Sequence, residues 1–205
     1  IEVKKEITKM TVVITKMLTS FYKTFNNKTN IKKALNKAKK LETKSDQMQE
    51  QISIYLAECT KHELSLGSSK EASAMIRITN ELESIGDSSL NLFIQIERLN
   101  NELHFDDSMN KEITEFYNLV MKFIEWNNLF IIDNLKAMSI EDLEKSAKYE
   151  QEIDDMRNQL MDSSRKRLSK GSNSKSELLF MDIIKHLEHV GDFSLNISQA
   201  LEQIH

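Results

Sequence analysis

A chain of 205 residues with no proline and four glycines has too little turn chemistry for an all-β fold, and its 40% hydrophobic and 29% charged content suits packed amphipathic helices. The 28 basic and 32 acidic side chains leave −4 at pH 7, which argues against a general nucleic-acid binder. No apolar run reaches the ~20 residues that span a bilayer, and no signal-peptide pattern opens the chain. Cys59 is the one cysteine, so an internal disulfide is excluded and a reducing compartment fits. With Ile52 and Tyr55 at helical spacing, it reads as a packed core residue rather than a nucleophile.

The first predicted helix runs from about Glu2 to Asn26, with Val3, Ile7, Met10, Ile14, Met17, Leu18 and Phe21 on one face. The chain begins at Ile1, inside this pattern, as a piece of a longer protein would. Asn26 to Asn30 interrupts it, and Thr29 or Asn30 is placed to cap the next helix. That second helix carries Ile31, Leu35, Ala38, Leu41, Met48, Ile52, Tyr55 and Cys59 and ends in Lys61-His62-Glu63-Leu64. The third starts with serine capping after Gly67-Ser68-Ser69 and runs to about Leu103 on Met75, Ile78, Leu82, Ile85, Leu92, Ile96 and Leu99. His104 to Ser108 is the boundary within the chain. A fourth helix covers about Met109 to Met138, with Trp126 as a packing anchor. Ser139-Ile140-Glu141-Asp142 opens a fifth, ending near Lys170. Gly171-Ser172-Asn173-Ser174 turns the chain into a sixth, from about Lys175 to the end.

This is three helices, twice. Glu-Ser-Ile-Gly-Asp-Ser-Ser-Leu-Asn from Glu83 to Asn91 recurs as Glu-His-Val-Gly-Asp-Phe-Ser-Leu-Asn from Glu188 to Asn196, an offset of 105 residues. Gly86 and Gly191 coincide under that offset, and Gly67 and Gly171 under one of 104. A glycine inside a helix costs roughly 1 kcal/mol against alanine, so Gly86 and Gly191 predict the close approach of a neighbouring helix. The expected fold is all-α: two tandem antiparallel three-helix bundles related by a pseudo-twofold repeat, residues 1–104 and 105–205, forming one unit.

Glu83 and Asp87 stand four residues apart, on one helix face, as do Glu188 and Asp192. The preceding helix of each half carries the same pair, Glu42 with Asp46 and Glu150 with Asp154. If the second and third helices fold as a hairpin about Leu66–Gly67, Asp46 falls level with Asp87 and Glu42 with Asn91. A hairpin centred on Asn173 likewise aligns Asp154 with Asp192 and Glu150 with Asn196. Massing carboxylates at one level is costly unless a cation or a basic group sits there, and carboxylate oxygens suit hard or borderline divalent and trivalent ions. A lone Glu-x-x-x-Asp is ordinarily a solvated acidic face. The duplicated set, with its glycine and asparagine, points instead to metal or other cation binding. Glu83, Asp87 and Asn91 lie away from the main apolar stripe of the third helix, on a second face shared with Ile76, Leu90 and Ile94.

The motif resembles that of the PhoU family, close to Glu-Arg-Ile-Gly-Asp with an asparagine four residues on. The resemblance covers the whole chain and implies two three-helix repeats in one six-helix domain. It implies a non-catalytic, cytoplasmic regulator of phosphate uptake, with the paired motifs holding metal, often iron or zinc. Residue by residue, the implied ligands are Glu42, Asp46, Glu83, Asp87, Glu150, Asp154, Glu188 and Asp192. Asn91, Asn196 and His189 are possible auxiliaries, and Gly86 and Gly191 match the family glycine. The arginine that usually follows the motif glutamate is Ser84 and His189 here, and the one three residues before it is Asn80 and Lys185. The stretch from Ile52 to Ser65 resembles the PhoU-like region that follows the membrane part of bacterial sodium/phosphate cotransporter-type proteins. That implies a domain tethered to the inner face of the membrane, with the transporter as partner. The alternative is a free-standing PhoU-type regulator acting on a phosphate transporter and a sensor kinase in trans.

A ferritin-like di-iron enzyme would need Glu-x-x-His on two helices, and Glu202 to His205 is the single such spacing. His186 and His189 flank Glu188, but their spacing lets at most one of them face a site with it. Lysines 28, 32, 33, 37, 39, 40 and 44 make one end of the second helix basic, and Arg165-Lys166-Arg167 does so at the end of the fifth. Such runs are usually solvated faces, although beside a membrane they could meet anionic lipid or an acidic partner surface.

Overall fold

The computed structural model describes residues 2–27, 30–61, 65–99 and 103–204. The described residues form six helices and no strand: α1 (Glu2–Asn27), α2 (Ile31–Cys59), α3 (Leu66–Glu97), α4 (Asp107–Ile132), α5 (Ile140–Ser169) and α6 (Ser174–Leu201). None of them is long and apolar enough to cross a membrane. The chain makes two antiparallel three-helix bundles that share one core. α3 and α6 pack on each other more extensively than any other pair, α1 and α2 lie on α3, and α4 and α5 lie on α6. A contact between α1 and α4 closes the back.

Aromatic side chains stitch the halves together. Phe21 of α1 meets Tyr117 of α4 at 6.3 Å, Tyr22 stacks on the same Tyr117 at 4.3 Å, and Phe105 links Phe25 to Phe180 of α6. Because α3 is enclosed by α1, α2 and α6, its buried positions run well round the helix, from Ile78, Leu82 and Ile85 to Ser88 and Ser89. The buried Ser89 hydroxyl satisfies itself by donating to the Ile85 carbonyl at 2.7 Å. Ile76, Leu90 and Ile94, the expected second apolar face, are half-buried against the same core.

The helix-pair glycines act as the pattern predicts. A Cβ at Gly86 would lie 3.0 Å from Ile14 Cδ1 and 3.1 Å from Ser45 Oγ, and one at Gly191 would lie 3.0 Å from Ile153 Cδ1. Each marks the place where a motif helix touches its neighbours. Gly67 and Gly171 are not equivalents. Gly67 sits in the first turn of α3, whereas Gly171, at φ 90°, follows the end of α5. There the Gly171 and Ser172 amides donate to the Leu168 and Arg167 carbonyls, a Schellman closure that requires the left-handed conformation.

Several helix ends differ from the periodicity. α3 stops at Glu97, short of Leu103, because the Arg98 and Leu99 amides turn back to the Gln95 and Ile96 carbonyls in a tighter final turn. α4 stops at Ile132, short of Met138. Asn134 and Leu135 both adopt left-handed backbone, which folds Leu135 and Met138 down into the core. The Met138 amide then donates to the Leu201 carbonyl at the end of α6, 3.4 Å away. Asn30 occupies the cap position of α2 in left-handed backbone, and its side chain makes no capping bond; Thr29 lies outside the described residues. The expected cap at Ser139 forms, with Asp142 in a reciprocal capping box. α3 starts ahead of Gly67-Ser68-Ser69, capped by Ser65, which accepts from the Ser68 amide, and in the Gly171–Ser174 turn Asn173 accepts from Lys175 and Ser176.

Tyr55 and Cys59 are not core residues. Tyr55 is exposed and Cys59 half-exposed; Tyr55 stands at a surface groove between α1 and α2, with Glu2, Val3, Met48 and Ile52, instead of entering the core. Trp126 bridges α4 and α5, donating from Nε1 to Ser146 Oγ at 3.1 Å and meeting Phe130 edge-on. The expected end of the second helix at 62–64 and His205 of the Glu202–His205 spacing lie outside the described residues.

Candidate metal centre

The α2–α3 hairpin brings one carboxylate oxygen each from Glu42, Asp46 and Asp87 within 4.8 Å of one another. This is the predicted register: Asp46 lies level with Asp87, and Glu42 leans along α2 to join them. Glu83, one turn back on α3, feels the charges of Asp87, Asp46 and Glu42. Its Oε2 accepts a long bond from Ser84 at 3.4 Å. Asn91 donates to the Asp87 carbonyl of its own helix at 3.0 Å.

Electrostatically this cluster is unbalanced. No described lysine, arginine or histidine lies within ion-pair distance of Glu42, Asp46, Glu83 or Asp87. Burial, with Asp46 and Asp87 beside it, raises Glu42 above the usual carboxylate range. Burial and Asp87 do the same to Glu83, and burial and Asp46 to Asp87. Asp46 Oδ1 is buried and accepts no hydrogen bond. A buried carboxylate oxygen without a donor is costly, and a cation placed among the three side chains would supply what it lacks. The donors are all oxygens, which fits a hard cation such as trivalent iron, manganese or magnesium better than zinc, whose usual ligands include nitrogen and sulfur.

The second half solves the same problem internally. Arg157 of α5 reaches Asp154 at 3.4 Å and Glu188 of α6 at 3.2 Å, so one guanidinium bridges the two motif helices. His189 Nε2 lies 3.8 Å from the other Glu188 oxygen. Glu150 is raised by burial, Asp154 and Glu188. Asp192 is raised to about 6 by burial and by Glu188, Asp154 and Glu150, with Arg157 only partly offsetting them. Asn196 is engaged elsewhere: it accepts from Arg77 of α3 at 3.2 Å and donates to Glu81 at 3.1 Å, tying α6 to α3. His186 is held below its ordinary value by burial and by His189, and rests edge-on to that ring.

The structure therefore gathers Glu42, Asp46 and Asp87, sets Glu83 beside them, and leaves Glu150, Asp154, Glu188 and Asp192 as a second cluster crossed by Arg157. Arg157, which bridges the two motif helices, lies outside the Glu-x-x-x-Asp pattern. Its signal was present: it lies three residues beyond Asp154, and the 108-residue offset from Glu42 to Glu150 places it opposite Gln49. Gln49 spans the equivalent gap without charge, donating to Asn80 Oδ1 at 2.8 Å.

The sequence also hides a polar cluster below the second site. Glu177 of α6 is fully buried and accepts from Ser164 at 2.6 Å, Arg167 Nε at 2.8 Å and Ser172 at 2.8 Å. Arg167 also donates to Glu112 of α4 at 2.8 Å. Of the basic run at the end of α5, Arg167 is therefore a structural brace, while Arg165 pairs on the surface with Asp162.

Comparison with known proteins extends the geometry to the whole chain. The architecture matches a crystal structure of PhoU from Pseudomonas aeruginosa at a TM-score of 0.86 and 14% identity, covering 98% of this chain and 93% of that one. It matches the phosphate transport system regulatory protein PhoU from Streptococcus pneumoniae at 0.85 and 14%, covering 98% and 91%. A putative PhoU-like phosphate regulatory protein from Shewanella oneidensis MR-1 matches at 0.72 and 12%, covering 98% and 97%. No curated protein gives a match. The model of the PhoU domain matches residues 7–96 and 130–201, well over half of the chain, and on that match the chain belongs to the PhoU family.

Proposed function

We propose that this chain is a non-catalytic, PhoU-type regulator of phosphate transport whose α2–α3 carboxylate cluster takes up a divalent or trivalent cation. The observation that carries the metal reading is the uncompensated group of Glu42, Asp46 and Asp87, with a buried Asp46 oxygen that accepts from nothing. Bound there, the cation would neutralise one face of the hairpin. It would change the affinity of that face for a partner only by binding the docked and undocked states unequally. The ladder has the charge to do this, since filling it removes a concentrated negative patch.

Action in trans on a phosphate transporter, with a sensor kinase as second partner, is the reading favoured by the fold likeness. It rests on the near-complete mutual coverage with structures described as PhoU proteins. A domain tethered behind a sodium/phosphate cotransporter-type membrane part is the second reading, favoured by the resemblance of Ile52 to Ser65. Tethering would raise its effective concentration to about millimolar, so a weak contact would suffice. Apolar segments of ~20 residues encoded ahead of Ile1 would select the tethered form.

The regulatory reading is tested by deleting the chain in cells and following phosphate uptake as external phosphate changes. Deletion should alter the response, and Asp46→Asn with Asp87→Asn should restore it only in part. An unchanged response on deletion would overturn the proposal.

A further inference from the structure

Charge is distributed very unevenly along this chain. Between Glu6 and Glu42 there are nine lysines and no acidic residue, so 19 basic side chains face 32 acidic ones in the remainder. The structure turns that asymmetry into a surface. Lys33, Lys37 and Lys40 stand at i, i+4 and i+7 on α2, and Lys44 continues the row, about 16 Å from first to last. Lys32 and Lys39 border it, and Lys16 and Lys23 are exposed on the antiparallel α1. None of these eight side chains lies within ion-pair distance of a described carboxylate, whereas Lys4, Lys5, Lys9 and Lys111 each have one.

Such a face is unfavourable in isolation. Lysines in the first turns of α2 oppose the helix dipole, no acid is present there to offset them, and like charges at i, i+4 repel. A negatively charged partner relieves all three. The chemistry also says which partner. Protein interfaces are anchored by aromatic side chains and arginine and are depleted in lysine. Here there is no arginine, and Tyr22 is committed to its stack on Tyr117. Nucleic-acid surfaces favour arginine forks and aromatic stacking, which are also absent. Flexible, strongly hydrated ammonium groups spread over a convex helix face suit a diffuse anionic layer.

We propose that the lysine-covered outer face of the α1–α2 hairpin, centred on Lys33, Lys37 and Lys40, is a docking surface for the anionic headgroups of a phospholipid bilayer. It is independent of the carboxylate cluster, which lies on the α3 side of α2, and it does not rest on the phosphate-regulation reading. Each lysine near such a surface contributes about a fivefold factor in partitioning, lost as salt screens the charges.

The test is co-sedimentation of the whole chain with vesicles, in chelator so that no metal bridges protein to lipid. Vesicles of phosphatidylcholine with phosphatidylglycerol should bind the protein, vesicles of phosphatidylcholine alone should not, and high salt should release it. Lys23→Gln, Lys33→Gln, Lys37→Gln and Lys40→Gln together should weaken binding by about 600-fold at low salt, the product of four fivefold factors. Lys122→Gln, Lys136→Gln, Lys170→Gln and Lys185→Gln, the same charge change on exposed lysines elsewhere, should leave most of it. Equal binding to neutral vesicles, no binding to anionic ones, or equal losses in the two variants would overturn the proposal. So would retention of an acidic polypeptide or RNA by a protein that ignores the vesicles.

Discussion

Arg157 of α5 donates to Glu188 of α6 at 3.2 Å, where the equivalent Gln49 of α2 donates to the neutral Asn80 and Ser53. This difference makes two halves with matching motifs electrostatically unlike. The first cluster has no internal cation and the second has one. Elemental analysis and calorimetric titration should therefore find the tighter metal in the first half. Asp46→Asn should weaken it by at least about tenfold. Arg157→Gln should create a second site in the other half. Equal affinities in the wild type, or no added metal in Arg157→Gln, would contradict this assignment.

Without metal, the carboxylate clusters make stability depend on pH in an unusual direction. Asp192 rises from an ordinary 3.8 to about 6, so the folded state carries a penalty above pH 6 and sheds it by taking up a proton as pH falls. Glu42, Glu83, Asp87 and Glu150 shift the same way. The metal-free protein should be more stable near pH 5 than at pH 7. Asp192→Asn should gain about 1 kcal/mol at pH 7, allowing for solvent screening of this partly exposed group, and flatten the profile. Denaturant titrations at the two pH values measure both.

Glu177 works in the opposite sense. Burial would raise it, but the bonds from Arg167, Ser164 and Ser172 outweigh that and lower it. Its contribution is thus complete above the unfolded value of about 4.3 and is lost as pH falls through the lower folded value. Glu177→Gln should cost about 3 kcal/mol at pH 7, because Arg167 would keep its buried face with only Glu112 as charged partner. The gap to wild type should narrow as the pH falls below about 4, which thermal melts across that range would show.

The paired glycines predict unequal substitutions. Alanine at Gly191 meets Ile153 at Cδ1 and at the stiff Cγ2, 3.0 and 3.2 Å away. It should destabilise by about 2 kcal/mol, partly offset by helix propensity. Alanine at Gly86 meets the mobile end of Ile14 and a serine hydroxyl, and should be closer to neutral. Adding Ile153→Val should rescue much of Gly191→Ala, and melting temperatures of the three variants would decide it.

The six helices, their antiparallel order and the hairpin registers were legible in the sequence because they rest on local periodicity, on the Ser139 cap and on turns such as Gly171–Ser174. The level of Asp46 with Asp87 followed from helix rise and one turn position. The end of α4 was not legible, since Leu135 and Met138 fit a helical stripe until left-handed backbone at Asn134 and Leu135 turns them into the core. Nor was the exposure of Tyr55 and Cys59, which share a helical stripe with Ile52 but which the packing of α1 on α2 leaves outside the core. The inequality of the two clusters was also tertiary. Periodicity places Arg157 three residues from Asp154, but only packing across α5 and α6 decides that its charge is spent on Glu188. A coulombic contact depends on distance and burial, and sequence spacing supplies neither across two helices.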